Sequence, residues 1–179
     1  MEYSRCIIFL VFLYCLLIMN PDVRFDIDRK KFPTAMYSRE LLGHLKKYAE
    51  PAAKDFFVIE GTFGCIFRQE LPKGGEYLIH VHDFLLTQEL QLFLEAKEPV
   101  VFVLMTMQGR ITIDVPRAGL QTIEANQYNI FHFTPCKTAI SCYKGNSRIF
   151  CLCMTPDTFK RQATDLAFFT SSMQKAKLN

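Results

Sequence analysis

The sequence lacks several signals by which enzymes and nucleic-acid-binding proteins are recognised. No glycine-rich phosphate loop, nucleophile elbow or Ser/His/Asp arrangement occurs in its 179 residues, although phosphate binding and serine nucleophiles commonly depend on such patterns. The formal net charge is only +3 and the basic residues are scattered, whereas a nucleic-acid interface needs a clustered, strongly basic face. We therefore expect no catalysis of these kinds and no direct nucleic-acid partner.

The seven cysteines include no C-x-x-C pair, so the paired spacing of a cysteine zinc site is missing. Cys151 and Cys153 are two residues apart, which places both thiols on the same side of a strand. We interpret the cysteines as small, buried, apolar residues in a reducing compartment. This interpretation favours a cytoplasmic location.

An uncharged apolar run, Cys6–Met19, is shorter than the roughly 20 residues of a membrane-spanning helix. Three interpretations of residues 1–20 remain open. The segment is a membrane anchor, a signal peptide without an A-x-A-like cleavage site, or an extension added by an upstream start codon. In the first case, the basic residues that follow it keep the globular part cytoplasmic.

The sequence does contain a long segment, residues 98–133, in which apolar runs of strand length alternate with turn residues. Its first run is continuously apolar, which favours a strand buried on both faces, and the second alternates with period two, as in a half-buried strand. Such a series indicates an antiparallel meander or barrel. The predicted strands are Val100–Met107, Ile111–Val115, Leu120–Ile123 and Tyr128–Phe133.

Further strands are predicted on both sides of this segment, with one helix before them and one after. Ser38 is predicted to cap a short first helix that carries Leu45 and ends before Pro51, and Thr155 is predicted to cap the second. The chain then divides into a hydrophobic segment 1–20, a linker with the short helix 21–54, a barrel 55–155, and a helix with a tail 156–179. The further strands are Phe56–Glu60, Cys65–Leu71, Tyr77–His82, Thr138–Tyr143 and Ile149–Met154.

The most specific constellation is Gly74 followed by His80 and His82. Two histidines separated by one residue on a strand project to one face. The segment resembles the first motif of cupin barrels, in which two such imidazoles face a metal. The resemblance ends there, because Leu86 and Thr87 occupy the positions where that motif has its glutamate.

A metal site built on His80 and His82 needs about three protein ligands. No histidine follows Pro135, where the second cupin motif has its own, so His132 is the available third ligand, together with Asp83 or Glu89. A small cupin enzyme with one divalent transition metal is therefore the alternative interpretation. Pocket-lining or hydrogen-bonded core histidines are the commoner use of such residues, and we expect no cofactor.

A longer stretch is similar to the amino-terminal regulatory domain of AraC-type transcription regulators, in the form common in Bacteroidetes bacteria. The similarity covers roughly residues 56–167. It lies in a proline before a bulky apolar strand, a glycine turn, a polar turn leading into a strand, and a capped helix start. The corresponding residues are Glu98-Pro99, Gly109, Gln127-Tyr128-Asn129 and Thr155-Pro156-Asp157.

This resemblance implies a mainly β, cupin-like jelly-roll barrel of antiparallel strands that binds a small effector and dimerises through its trailing helix. Regulators of this family carry helix-turn-helix motifs after that helix, and the sequence stops at Asn179 before any could form. We therefore expect a non-catalytic sensing domain that forms homodimers or mixed dimers with related regulators; a truncated or mis-started regulator is the third interpretation. The predicted ligand-binding residues are His80, His82, Phe102, Tyr128 and His132.

Overall fold

The computed structural model describes residues 23–72 and 76–164, which form twelve strands and two helices. Residues 1–22, with the apolar run Cys6–Met19, lie outside the described residues. The strands are β1 (Val23–Ile27), β2 (Met36–Ser38), β3 (Asp55–Gly61), β4 (Gly64–Glu70), β5 (Tyr77–Leu86), β6 (Leu90–Ala96), β7 (Val100–Gln108), β8 (Arg110–Val115), β9 (Gly119–Glu124), β10 (Gln127–Phe133), β11 (Cys136–Cys142) and β12 (Gly145–Met154). The helices are a 3₁₀ helix (Gly43–Tyr48) and α1 (residues 156–164).

The strands form two antiparallel sheets that enclose one apolar core. The five-stranded sheet has the order β1-β6-β11-β8-β9, and the seven-stranded sheet has the order β10-β7-β12-β5-β4-β3-β2. Side chains alternate between the two faces of each strand, so one face of each sheet contributes to the core between them. The predicted mainly β architecture of antiparallel strands is confirmed.

The four strands predicted between residues 98 and 133 are present as β7 to β10. They do not form a meander within one sheet, because β8 pairs with β9 in the five-stranded sheet and β7 pairs with β10 in the seven-stranded sheet. Their turns need backbone in the left-handed region, which Gly109 (φ 75°) and Asn126 (φ 64°) provide, and glycine and asparagine are the residues that tolerate it best. The prediction that the whole of Val100–Met107 is buried on both faces is wrong. The strand is buried on both faces only over its first three residues, whereas Met105 and Met107 are exposed.

The predicted linker contains two strands. β1 adds an edge to the five-stranded sheet by pairing with β6, and β2 adds an edge to the other sheet by pairing with β3. The polar residues between the apolar positions of β1 hide its alternation, because an edge strand needs only one buried face.

The helix predicted after Ser38 exists as the 3₁₀ helix, but Ser38 does not cap it. Ser38 ends β2, and its hydroxyl accepts a hydrogen bond from the Glu40 amide at 3.0 Å. Leu42 is at the N-cap position, without a side-chain cap. Leu45 holds the helix on the outer face of the seven-stranded sheet by packing with Val58, Cys65 and Phe67.

The helix that follows β12 begins as predicted. The Thr155 hydroxyl accepts a hydrogen bond from the Thr158 amide at 3.2 Å, the bond by which threonine caps a helix. Pro156 is the first helical residue. Neither helix in the described ranges combines the length and hydrophobicity that a membrane span requires.

Candidate ligand-binding site

His80 and His82 lie on β5 and point into the core between the sheets, where both are buried. Their partners across the neighbouring strand are Glu70 and Arg68, since His80 is in register with Glu70 and His82 with Arg68. On the other side, Cys151 is in register with His80. Directly paired residues share a face of the sheet, so two imidazoles, a carboxylate and a guanidinium share one end of an apolar interior.

The imidazole of His82 is enclosed by aromatic rings. The ring centroid of Phe25 lies 4.4 Å from that of His82, and Phe84 stacks on it at 6.0 Å with an interplanar angle of 10°. Neither Nδ1 nor Nε2 of His82 has a hydrogen-bond partner among the described residues. A buried polar group in that state costs about 1–3 kcal/mol, so His82 needs an explanation other than core filling.

The two histidines differ in their surroundings. Burial, the nearby His80 and the nearby Arg68 lower the pKa of His82 well below its usual value, so its imidazole is neutral at physiological pH. A neutral imidazole offers one donor and one acceptor. The Nε2 of His80 instead lies 3.6 Å from the Glu70 carboxylate. The site therefore provides a neutral hydrogen-bonding ring beside a paired one.

The structure brings only part of the predicted ligand-binding set together. Phe102 is fully buried, and its ring centroid lies 6.2 Å from that of Phe25, which in turn contacts His82. Tyr128 and His132, by contrast, are exposed on the outer face of β10. Their side chains alternate with the buried Phe131 and Phe133, so the structure does not bring them together with His80 and His82.

His132 instead lines a surface cleft of about 480 Å³ at one end of the sandwich, between the turn after β8 and the turn after β10. Arg117, Pro135 and Cys136 also line this cleft. It is separated from His80 and His82 by the sheet itself, because His132 faces outward.

The alternative metal set is not assembled either. His132 lies on the outer face, Asp83 follows His82 directly and so points to the opposite side of β5, and Glu89 is exposed in the turn after β5. In residues 23–72 and 76–164, only His44, Glu60 and Cys65 bring three potential ligand atoms within 4.8 Å of one another. The arrangement does not favour a metalloenzyme built on His80 and His82.

Among the residues of the site, Phe25, Phe84, Arg68 and Glu70 were not predicted from the sequence. Arg68 and Glu70 are two residues apart on a predicted strand, the same spacing that singled out His80 and His82. That spacing was the available signal. It places the two side chains on one face, but only the pairing of β4 with β5 places them beside the histidines. No such signal indicated Phe25, because it belongs to β1 in the five-stranded sheet and contacts His82 across the core.

A second polar network lies on the outer face of the seven-stranded sheet. The fully buried Gln69 accepts a hydrogen bond from the Glu50 amide at 2.6 Å, and it donates to the Tyr48 carbonyl and to Asp83 at 3.0 Å each. Arg148 pairs with Asp83 at 3.6 Å and with Glu50. This network joins the end of the 3₁₀ helix to the sheet.

These features define a mainly β domain of two antiparallel sheets with a polar group of side chains inside it. No protein-family model matches the chain, and no curated protein matches it. The assignment to the mainly β class rests on the two antiparallel sheets themselves.

Solved structures of cupin domains are similar to it. The Schizosaccharomyces pombe Cnp3 cupin domain is 12% identical, with a TM-score of 0.41, over 55% of this chain and 71% of its own. The Cupin_2 domain of an XRE family transcriptional regulator from Enterobacter cloacae is 10% identical, with a TM-score of 0.39, over 51% of this chain and 97% of its own. A cupin superfamily protein from Desulfitobacterium hafniense is 11% identical, with a TM-score of 0.38, over 50% and 77%.

Proposed function

We propose that this chain is a non-catalytic sensing domain that binds a small molecule beside His82, in the manner of the regulatory half of an AraC-type transcription regulator. The observation that carries the proposal is the buried His82 imidazole, whose two ring nitrogens have no hydrogen-bond partner within the described ranges. An effector that bonds to this ring recovers the free energy that its burial costs. The ring is then a recognition group held ready by its aromatic neighbours.

The surroundings of His82 indicate the chemistry of the effector. Phe25, Phe84 and Phe102 form apolar walls, and Arg68 is the cation in register with His82 on the next strand. Ligand pockets commonly combine an apolar lining with a few placed polar groups. We therefore propose a small, mostly apolar molecule with one carboxylate.

Access to His82 passes through Phe25 in this proposal. Among the described residues, β1 is an edge strand of five residues that pairs only with β6, so within this part of the chain it has ladder hydrogen bonds along one side. Outward movement of β1 exposes the His82 ring, and an effector then takes the place of the Phe25 ring. Binding is thereby coupled to the position of an edge strand.

Dimerisation is the second part of the proposal, with a second copy of this chain as partner. The outer face of β7 and β10 exposes Met105, Met107, Tyr128 and Ile130, with exposed fractions of 36%, 45%, 68% and 47%. Tyr128 is in register with Met105, so these side chains form one patch. β10 is also an edge strand. An exposed apolar patch beside an edge strand is typical of a protein interface.

A thermal-shift screen of small aromatic and aliphatic carboxylic acids tests the sensing role. The unmodified chain, His82→Phe and the control His132→Phe are screened in parallel, with the matching alcohols as a second set. We expect at least one acid to raise the melting temperature of the unmodified chain and of His132→Phe but not of His82→Phe. A ligand at 100 times its Kd stabilises the folded state by about 2.7 kcal/mol.

Acids that stabilise His82→Phe as strongly as the unmodified chain would place the site elsewhere. If the alcohols stabilise the chain as strongly as the acids, the carboxylate does not contribute to binding. Arg68 then has no role in recognition, and only the role of His82 is retained.

A further inference from the structure

Three residues with metal-binding side chains meet on the outer face of the seven-stranded sheet, away from His80 and His82. His44 belongs to the 3₁₀ helix, Glu60 to β3 and Cys65 to β4. Glu60 and Cys65 are directly paired in the β3–β4 register, so their side chains share one face. The helix passes over that face and brings the imidazole of His44 to the pair.

The distances suit a single ion. The Nε2 of His44 lies 3.1 Å from a carboxylate oxygen of Glu60, and one ligand atom from each of the three residues lies within 4.8 Å of the other two. Zinc binds its ligand atoms at about 2.0–2.3 Å. Two atoms that bind the same ion are therefore separated by less than the sum of their two distances to the ion. The three donors therefore need little movement to enclose an ion.

The side chains are held by packing on the sheet side and are open on the solvent side. Cys65 is 7% exposed and belongs to an apolar cluster with Leu45, Val58 and Phe67. Leu45, the neighbour of His44, is fully buried in the same cluster and anchors the helix. The side chains of Glu60 and His44 are 29% and 58% exposed. Ions can therefore enter from solvent, and a fourth position remains open.

The donor set selects among metals. A thiolate, an imidazole and a carboxylate together are typical ligands of Zn²⁺, whereas Mg²⁺ and Ca²⁺ prefer oxygen donors alone. The Cys65 thiol loses its proton when it binds the ion, and the resulting thiolate and the Glu60 carboxylate then supply two negative charges, which match a divalent cation. A lone His44–Glu60 pair at the surface contributes only about 0–1 kcal/mol and does not involve the thiol.

We propose that His44, Glu60 and Cys65 form a Zn²⁺ site with one open coordination position. The ion joins the 3₁₀ helix to β3 and β4, so its binding stabilises a helix that has no side-chain cap. Because its ligands face outward, the site is independent of the effector pocket proposed around His82. It gives the chain a second ligand, a metal ion, on the opposite face of the same sheet.

The experiment is a titration of the purified, chelator-treated full-length chain with Zn²⁺ by calorimetry, and with Co²⁺ as a spectroscopic substitute. We expect one ion per chain and, with Co²⁺, the near-ultraviolet charge-transfer absorption of a thiolate ligand. His44→Ala and Glu60→Gln each weaken Zn²⁺ binding by about tenfold or more, the scale of losses at metal sites. Cys65→Ser removes the charge-transfer absorption.

Matched controls use the same residue types elsewhere. His132→Ala removes an exposed histidine, and Cys136→Ser removes a half-buried cysteine; both retain the metal affinity of the unmodified chain. His82→Phe also retains it, which separates this site from the effector pocket. His44→Ala changes an exposed side chain, so its fold is preserved and verified by circular dichroism.

The proposal is overturned by an unmodified chain that takes up no Zn²⁺, or by uptake that persists in all three ligand variants. Loss of the metal in His82→Phe with retention in His44→Ala also overturns it, because the ion then lies inside the sandwich. That last result contradicts the metal-free effector pocket as well, whereas the first two leave the effector pocket intact.

Discussion

Phe25 lies against His82 with their ring centroids 4.4 Å apart and their planes inclined at 50°. The two residues belong to different sheets, Phe25 to the edge strand β1 and His82 to the middle of the seven-stranded sheet. Phe25 therefore closes the interior over an imidazole that has no hydrogen-bond partner in the described chain. The stability of the edge strand and the accessibility of the proposed site depend on the same side chain.

Replacing Phe25 with alanine is expected to open a cavity beside His82. The free energy of unfolding, measured by urea denaturation, should fall by about 3–5 kcal/mol, as for other buried phenylalanines. Small aromatic molecules fill engineered apolar cavities, so benzoate should restore part of the lost stability. Phe63→Ala is the control: Phe63 is fully buried, and its ring contacts that of Phe32, so benzoate should not stabilise that variant. Equal rescue of both would contradict the account.

Replacing His82 with phenylalanine is expected to leave the protein as stable as before or to stabilise it. The substitution removes two unpaired ring nitrogens and retains a ring of similar shape, and an apolar replacement of an unsatisfied polar group costs little. Gln69→Leu provides the contrast, because Gln69 makes three hydrogen bonds. Its loss should destabilise by about 1–3 kcal/mol. Urea denaturation compares the two; a His82→Phe loss as large as that of Gln69→Leu would indicate a structural role for His82.

Asp83 should make stability depend on pH. Burial is the main cause that raises its pKa from 3.8 to about 6; Glu50 adds to the increase, and Arg148 and Gln69 oppose it. The folded state therefore favours the protonated carboxyl, and this contribution is complete below about pH 4 and is lost as the pH rises through about 6. Each unit of pKa shift corresponds to about 1.4 kcal/mol.

Asp83→Asn should accordingly lose part of the decrease in unfolding free energy between pH 4 and pH 8. Denaturant titrations at four or five pH values measure this slope. Asp114→Asn, a change at an exposed carboxylate on β8, should retain the slope of the unmodified chain. An unchanged slope in Asp83→Asn would show that burial of this carboxyl does not set the pH dependence.

Ile130→Asp should weaken the proposed dimer. Ile130 is 47% exposed and in register with Val103 at the centre of the apolar patch, and two copies of a new carboxylate would face a shared apolar interface. We expect the dimer dissociation constant, from analytical ultracentrifugation, to rise by more than about tenfold, or 1.4 kcal/mol. Leu120→Asp on β9 replaces a 72% exposed leucine and should leave it unchanged. An unmodified chain that is monomeric at all concentrations would contradict the dimer.

The fold followed from the sequence where a strand lies between two partners or ends at a sharp turn. β7 to β10 were predicted because long apolar runs are interrupted by residues such as Gly109 and Asn126, whose backbone conformations few other residues adopt. β1 and β2 were missed because they are short, with five and three residues, and their apolar pattern is weak. The Ser38 cap was wrong because the serine hydroxyl bonds to its own turn, a competing local use of that side chain.

Only those features of the site that follow from the two-residue period of a strand or from an apolar run could be predicted from the sequence. His80 and His82 share a face because of their spacing, and burial of Phe102 followed from its apolar run. Tyr128 and His132 lie apart from this pair because the face that β10 presents to the core depends on its register with β7, which no local pattern encodes. The contact of Phe25 with His82 joins residues 57 positions apart, so no local sequence pattern could predict it.

The most direct test of the account is the nuclear magnetic resonance of the histidine rings in a chain labelled with ¹⁵N at histidine. The four histidines give few signals, and His82→Phe and His132→Phe assign the two that matter. When carboxylic acids that stabilise the chain are added, we expect the ring nitrogens of His82 to shift while those of the exposed His132 do not. Binding acids that shift His132 and leave His82 unchanged, or a complete absence of binding acids, would contradict the account.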